Sequence, residues 1–64
     1  MKENNVAFKF IENAKAFIEA MFEAKIDRVS DVWSIGDGYY YVTWTAFTKK
    51  KYDEALQIVC EYID

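Results

Sequence analysis

The side chains able to do chemistry in this chain are few. The sequence has no histidine and one cysteine, Cys60. Histidine is the commonest general acid or base and the commonest metal ligand, so its absence argues against both kinds of site. One cysteine without histidine cannot complete a usual four-ligand zinc site. The sequence also lacks the glycine-rich strings that bind nucleotide phosphates. We therefore expect no catalytic centre, no metal and no cofactor, and predict that the protein is not an enzyme.

Two residues still invite a chemical interpretation. Cys60 falls near the C-terminal end of a predicted helix beside Glu61. That environment disfavours a thiolate, so a partly buried structural cysteine is the expectation. Asp31 is predicted to lie on the apolar face of a hairpin, opposite Trp44. It is either a perturbed acid or a ligand for a partner's cation, or else a residue that a strand end or a bulge turns to solvent.

The only concentration of basic residues is the run Lys49, Lys50 and Lys51 at the start of the last predicted helix. With nearby tyrosines it permits a nucleic-acid-binding interpretation; the alternative is solvated charge at a helix end. The string TKKKYDEAL resembles the lysine-bearing start of the last helix in double-stranded RNA-binding domains, which also begin and end with helices. Those domains have three strands, and small residues or glycine usually precede their lysines.

The composition of the chain limits the kinds of partner and the location that we expect. The net charge is −3, which disfavours general nucleic-acid affinity, and 19% of the residues are aromatic. The aromatic residues either reinforce a small core or form a binding surface. No apolar stretch of membrane-spanning length and no signal core occurs, and the unpaired cysteine suits a reducing compartment. These features predict a cytoplasmic protein without a membrane partner.

A β-hairpin is predicted over residues 28–47, around Asp37 and Gly38. An Asp-Gly pair between two β-prone runs favours a type I′ turn, in which both residues have positive φ. That tight turn pairs Trp33 with Val42 and places Trp33 and Trp44 on one apolar face.

Helical periodicity flanks the hairpin on both sides, over residues 5–25 and 49–63. Asn4 or Asn5 is the expected N-cap of the first helix, and Thr48 that of the second. The first helix carries its main apolar line at Phe10, Ala14, Phe17, Met21 and Ala24. The chain thus predicts one α+β domain over residues 1–64, of order α-β-β-α, with an antiparallel hairpin and both helices packed on one face.

Surplus apolar surface suggests association. The apolar arc of the first helix covers roughly 200°, although a helix on a single layer needs little more than ~100°. We expect a homodimer, and its interface is predicted at Phe8, Phe10, Phe17 and Phe22. A partner would meet the second sheet face and the lysine run, at Val32, Tyr39, Tyr41, Phe47, Lys49, Lys50 and Lys51.

The functional hypothesis is a small acidic protein-binding module that occupies a surface of another protein. In size and charge it is similar in type to inhibitors encoded by phages and mobile elements, anti-CRISPR proteins among them, or it is an adaptor. The alternative is an RNA- or DNA-binding module that uses the lysine run and the hairpin tyrosines.

Overall fold

The structure is a computed structural model that describes residues 3–63. Strands and helices occur in the order β1 (Asn4–Phe8), α1 (Ile11–Glu23), β2 (Arg28–Val29), β3 (Tyr40–Thr45) and α2 (Lys49–Tyr62). The prediction of a small α+β protein with two helices and an antiparallel sheet is confirmed. The order differs from α-β-β-α, because a strand precedes the first helix.

The sheet has three strands in the order β1-β3-β2, with β3 in the centre and antiparallel to both neighbours. It follows that β1 and β2 run parallel to each other on either side of β3. Since α1 connects them, the first three elements form a split β-α-β unit into which β3 inserts. Both edges of β3 are therefore paired within the chain.

The first strand occupies residues that the sequence predicted as helix. Val6 and Phe8 are buried whereas Asn5 is exposed, which is the alternation of a strand with one covered face. Val6 lies opposite Val42 of β3, and the pairing continues without interruption from Asn4 to Phe8. The predicted N-cap at Asn4 or Asn5 is wrong. Helix α1 has thirteen residues and spans about 20 Å, so it is shorter than the predicted helix over residues 5–25.

The hairpin register also differs from the prediction. Val29 pairs with Trp44, and a single bridge joins Trp33 to Tyr41. Between these two pairs the β2 side advances by four residues and β3 by only three, so a bulge lies in the segment 30–32. The predicted pairing of Trp33 with Val42 is therefore wrong. The bulge shifts Trp33 to the face of the sheet that the helices do not cover.

The turn is wider than a two-residue loop. Gly36 and Gly38 have positive φ values of 82° and 90°, but Asp37 is not among the positive-φ residues, as a type I′ turn would require. The two glycines therefore take the left-handed conformations that the connection needs. The predicted Asp37-Gly38 turn is wrong for this reason.

The core lies between one face of the sheet and the two helices. Its largest fully buried side chains are Trp44, Phe8, Phe17, Met21 and Val42. Helix α1 contributes three buried residues from the predicted apolar line, Ala14, Phe17 and Met21. Helix α2 contributes Ala55, and the ring of Tyr52 lies 5.5 Å from that of Trp44. The prediction that Trp44 faces the helices is confirmed.

The start of α2 and the end of α1 have well-defined caps. The Thr48 hydroxyl accepts a hydrogen bond of 3.2 Å from the amide of Lys51, which confirms Thr48 as the N-cap of α2. After α1, Lys25 adopts a φ of 59°, and the amide of Ile26 donates to the Met21 carbonyl at 3.1 Å. These are the features of a Schellman motif, with lysine at the position where glycine is usual.

Candidate binding surface on the open face of the sheet

The side chains opposite the core form a surface that we call the outer face. Because side chains alternate along a strand, the neighbours of the buried residues in β1 and β3 point away from the helices. They meet the Trp33 ring there, and the central members of the surface are Asn5, Ala7, Trp33, Tyr41 and Thr43. Both helices pack on the other side of the sheet, so neither covers this face.

Trp33 and Tyr41 form the centre of the outer face. Their rings stack with centroids 4.7 Å apart and an interplanar angle of 20°. The backbones of the same two residues exchange hydrogen bonds of 2.9 Å and 2.8 Å. Trp33 is 37% exposed, so part of this aromatic pair is open to solvent. An exposed tryptophan in a fixed position is a feature that binding surfaces use.

A line of hydrogen bonds fixes the orientation of the Trp33 ring. Its Nε1–H donates to the Thr43 hydroxyl at 3.0 Å, and that hydroxyl donates to Oδ1 of Asn5 at 2.7 Å. The line thus runs from the hairpin across β3 to β1. The predictions did not place Trp33 and Asn5 on this surface. The larger apolar residues Val6 and Phe8 alternate with Asn5 and the small Ala7, and this spacing was the signal that could have placed Asn5.

The hairpin loop is tied to the same aromatic pair. The Tyr41 hydroxyl donates a hydrogen bond to Oδ2 of Asp37, whose Oδ1 accepts the amide of Tyr39 at 3.1 Å. The bond from Tyr41 holds the pKa of Asp37 below its ordinary value and raises the pKa of Tyr41. Tyr39 and Ile35 remain exposed beside this contact, Ile35 to 70%.

The other predicted partner-binding residues of the hairpin are placed differently from one another. Phe47 is exposed, and the Arg28 guanidinium lies 5.5 Å from its ring centroid. Its amide donates to Asp27 at 2.8 Å. Val32 is half-buried and packs against the core, so it contributes little to the outer face.

The lysine run makes local contacts. Lys49 pairs with Asp53 at 3.2 Å. Lys51 lies 3.5 Å from Glu54 and donates a 2.6 Å hydrogen bond to the Ala24 carbonyl, which links the two helices. Two of the three lysines are thereby engaged within the helical layer, and Lys50 is exposed. The likeness to double-stranded RNA-binding domains also weakens, because this fold begins with a strand.

The four phenylalanines predicted as a dimer interface are divided by the fold. Phe8 and Phe17 are fully buried, with ring centroids 5.2 Å apart. Phe10 is 58% exposed and Phe22 62%. Only the latter two offer surface to another molecule.

The residues considered for chemistry are both exposed. Cys60 was expected to be partly buried, but its side chain is exposed on α2. Asp31 is exposed in the bulge, where Oδ1 accepts the amide of Val32 at 2.8 Å. The predicted position opposite Trp44 is wrong, and the alternative, a residue that a bulge turns to solvent, is confirmed. Within residues 3–63, no group of three or more acidic, cysteine or histidine side chains could hold a metal ion.

Comparisons with family models, characterised proteins and solved structures produce no match to this chain. Over the described residues, neither helix has the length and apolar character needed to cross a membrane. The geometry of the outer face is therefore the basis for a functional proposal.

Proposed function

We propose that this protein is a non-enzymatic protein-binding module that occupies a surface of another protein through its outer face. The observation that carries the proposal is the stacked pair of Trp33 and Tyr41, held by the hydrogen bonds that they donate to Thr43 and Asp37. Tryptophan and tyrosine are enriched at the energetic centres of protein interfaces. A pair that is already ordered loses little conformational freedom on binding, which favours affinity.

The surroundings of the aromatic pair support a protein partner. Exposed Ile35 and Tyr39 extend the apolar area at the loop, and Asp37 supplies a carboxylate between them. With a net charge of −3, the module favours a partner surface that carries positive charge. Inhibitors of the phage type act in this manner, by covering a surface and without chemistry. The proposed working unit is a homodimer, since a small chain without disulfide or metal often gains stability by association.

The test uses Trp33→Ala as the disrupting variant and Phe22→Ala as the matched control. Both remove an exposed aromatic side chain, but Phe22 lies on α1, away from the outer face. Tagged proteins capture partners from host extract, and the captured protein is then purified and titrated. Loss of a central interface tryptophan should raise the Kd about 30- to 1,000-fold, while Phe22→Ala leaves it unchanged. Equal binding by Trp33→Ala, with its fold intact by circular dichroism, would refute the proposal.

A second candidate is binding to single-stranded nucleic acid. Exposed aromatic rings on an open sheet can stack with bases, and Trp33, Tyr39 and Tyr41 supply them. The net negative charge and the local contacts of Lys49 and Lys51 oppose it. Titration with a mixed-sequence RNA oligonucleotide at increasing salt decides the matter, because phosphate contacts make affinity fall steeply with salt.

A further inference from the structure

The outer edge of β1 is unpaired within the described part of the chain, since β1 is the first strand in the order β1-β3-β2. The direction of its backbone groups follows from β3. Tyr41 and Thr43 direct their carbonyls toward the β2 side, where they accept from Trp33 and Ser30 at 2.9 Å and 2.8 Å. In an antiparallel ladder the alternate residues bond in the opposite direction. Val42 therefore bonds to Val6, and the amides and carbonyls of Asn5 and Ala7 point outward.

This edge lacks the usual devices that prevent strand addition. The chain contains no proline, and residues 4–8 include no charged side chain. The five pairs between β1 and β3 are consecutive, so no bulge twists the strand away. The opposite edge is different, because β2 has only two residues and is followed by the bulge with Asp31. The sheet thus has one blunted edge and one open edge.

We propose that β1 pairs antiparallel with β1 of a second copy, so that the two three-stranded sheets become one six-stranded sheet. This inference rests on the homodimer of the proposed function and names its interface. The register that uses all five residues of both strands places Val6 opposite Val6 and Asn5 opposite Ala7. Asn5 and Ala7 are the residues with outward backbone groups, so they exchange the new hydrogen bonds. A two-fold axis relates the copies and closes the assembly.

The self-pairing is complementary in both apolarity and charge. Opposed residues share a face, so the core-facing residues of both copies stay on the helical side and the outer faces join. One residue beyond each strand end, Glu3 of one copy lies opposite Lys9 of the other. Phe10 follows the strand by two residues and adds exposed apolar surface at its end. This complementarity with itself is the reason for choosing a second copy over a foreign strand.

Joining the edges has a functional consequence. The two pairs of Trp33 and Tyr41 would lie on one continuous surface, and a partner with two matching sites would bind both at once. The second contact would then be intramolecular and would raise the apparent affinity without any new contact.

The test is the mass of the full chain by sedimentation velocity, measured from 1 to 100 µM. The expected species is twice the 7.6 kDa chain mass. Ala7→Pro removes an outward amide, and proline is tolerated at a free edge. It should give folded monomers, whereas the control Ala7→Thr keeps the amide and should stay dimeric. A wild-type monomer at 100 µM, or a folded Ala7→Pro dimer, would overturn the proposal.

Charge reversal keeps the test decisive should Ala7→Pro fail to fold. Lys9→Glu places like charges at both ends of the joint and should raise the dimer Kd about 2- to 30-fold. Adding Glu3→Lys to the same chain should restore it. Unchanged dimerisation in the single variant, or no recovery in the double variant, would overturn this register. Trp33→Ala should leave the mass unchanged, so failure of self-pairing and failure of partner binding are observed separately.

Discussion

Trp44 is the side chain whose removal should cost the most stability. It is 2% exposed, lies opposite Asn4 on one side and Val29 on the other, and contacts the Tyr52 ring of α2. Replacing a buried tryptophan by alanine costs about 3–5 kcal/mol. At about 0.05–0.15 kcal/mol per residue, a chain of 64 residues has a total stability of about 3–10 kcal/mol. Trp44→Ala should therefore remove a third or more of the free energy of unfolding.

Trp44→Phe distinguishes the contribution of the ring volume to stability from that of the Nε1–H group. The Nε1–H of Trp44 is the buried side-chain donor without a hydrogen-bond partner among the described residues. Leaving such a donor unsatisfied costs about 1–3 kcal/mol, so its removal offsets part of the lost volume. The Phe variant should lose less than half of what the Ala variant loses. Urea unfolding by circular dichroism, with Trp33 emission as a second probe, measures both. An Ala variant within 1 kcal/mol of wild type, or equal losses in the two variants, would refute the reasoning.

Two further predictions concern the loop and the end of α1. Because its bond to Tyr41 lowers the folded-state pKa of Asp37, that bond stabilises the protein above the ordinary value of 3.8 and the effect is lost as pH falls below it. The urea midpoint of wild type should fall between pH 5 and pH 2.5 by more than that of Asp37→Asn, and equal falls would contradict the assignment. Lys25→Gly should stabilise the chain by about 1 kcal/mol, because glycine adopts the φ of 59° without strain. Ala24→Gly, at a φ of −78°, is the control and should destabilise it in thermal melts.

Parts of the fold were predictable because local and tertiary signals agree there. In α1 the spacing of Ala14, Phe17 and Met21 matches one buried face. Thr48 is a good N-cap both in the sequence and in the structure. Trp44 belongs to an alternating run, and the side of β3 that it occupies is the side that the helices cover.

Two features could not be predicted because a competing local pattern fitted as well. Residues 4–8 satisfy the strand period, but Ala7 also continues the apolar side of the helix that follows. Only the pairing of these residues with β3 selects the strand, and this pairing joins segments that are far apart in the sequence. In the hairpin, an Asp-Gly pair is a strong turn signal, but a one-residue bulge carries no comparable signature. It moved Trp33 from the predicted core face to the outer face, where its ring stacks on Tyr41.

The N-terminal strand changes the physical basis of the expected dimer. In the sequence, association follows from a long helix with more apolar circumference than one layer can cover. In the structure the helix is short, and Phe8 and Phe17 are buried in the core. Phe10 and Phe22 are the two of the four phenylalanines that are still exposed. The groups that could join two copies are now the outward amides and carbonyls of Asn5 and Ala7 along the open edge of β1. Backbone pairing fixes the register more tightly than an apolar helix face does, since a slip by one residue would exchange the core and outer faces of the second copy. A dimer built this way would present the outer faces side by side, in the geometry that the partner-binding proposal uses.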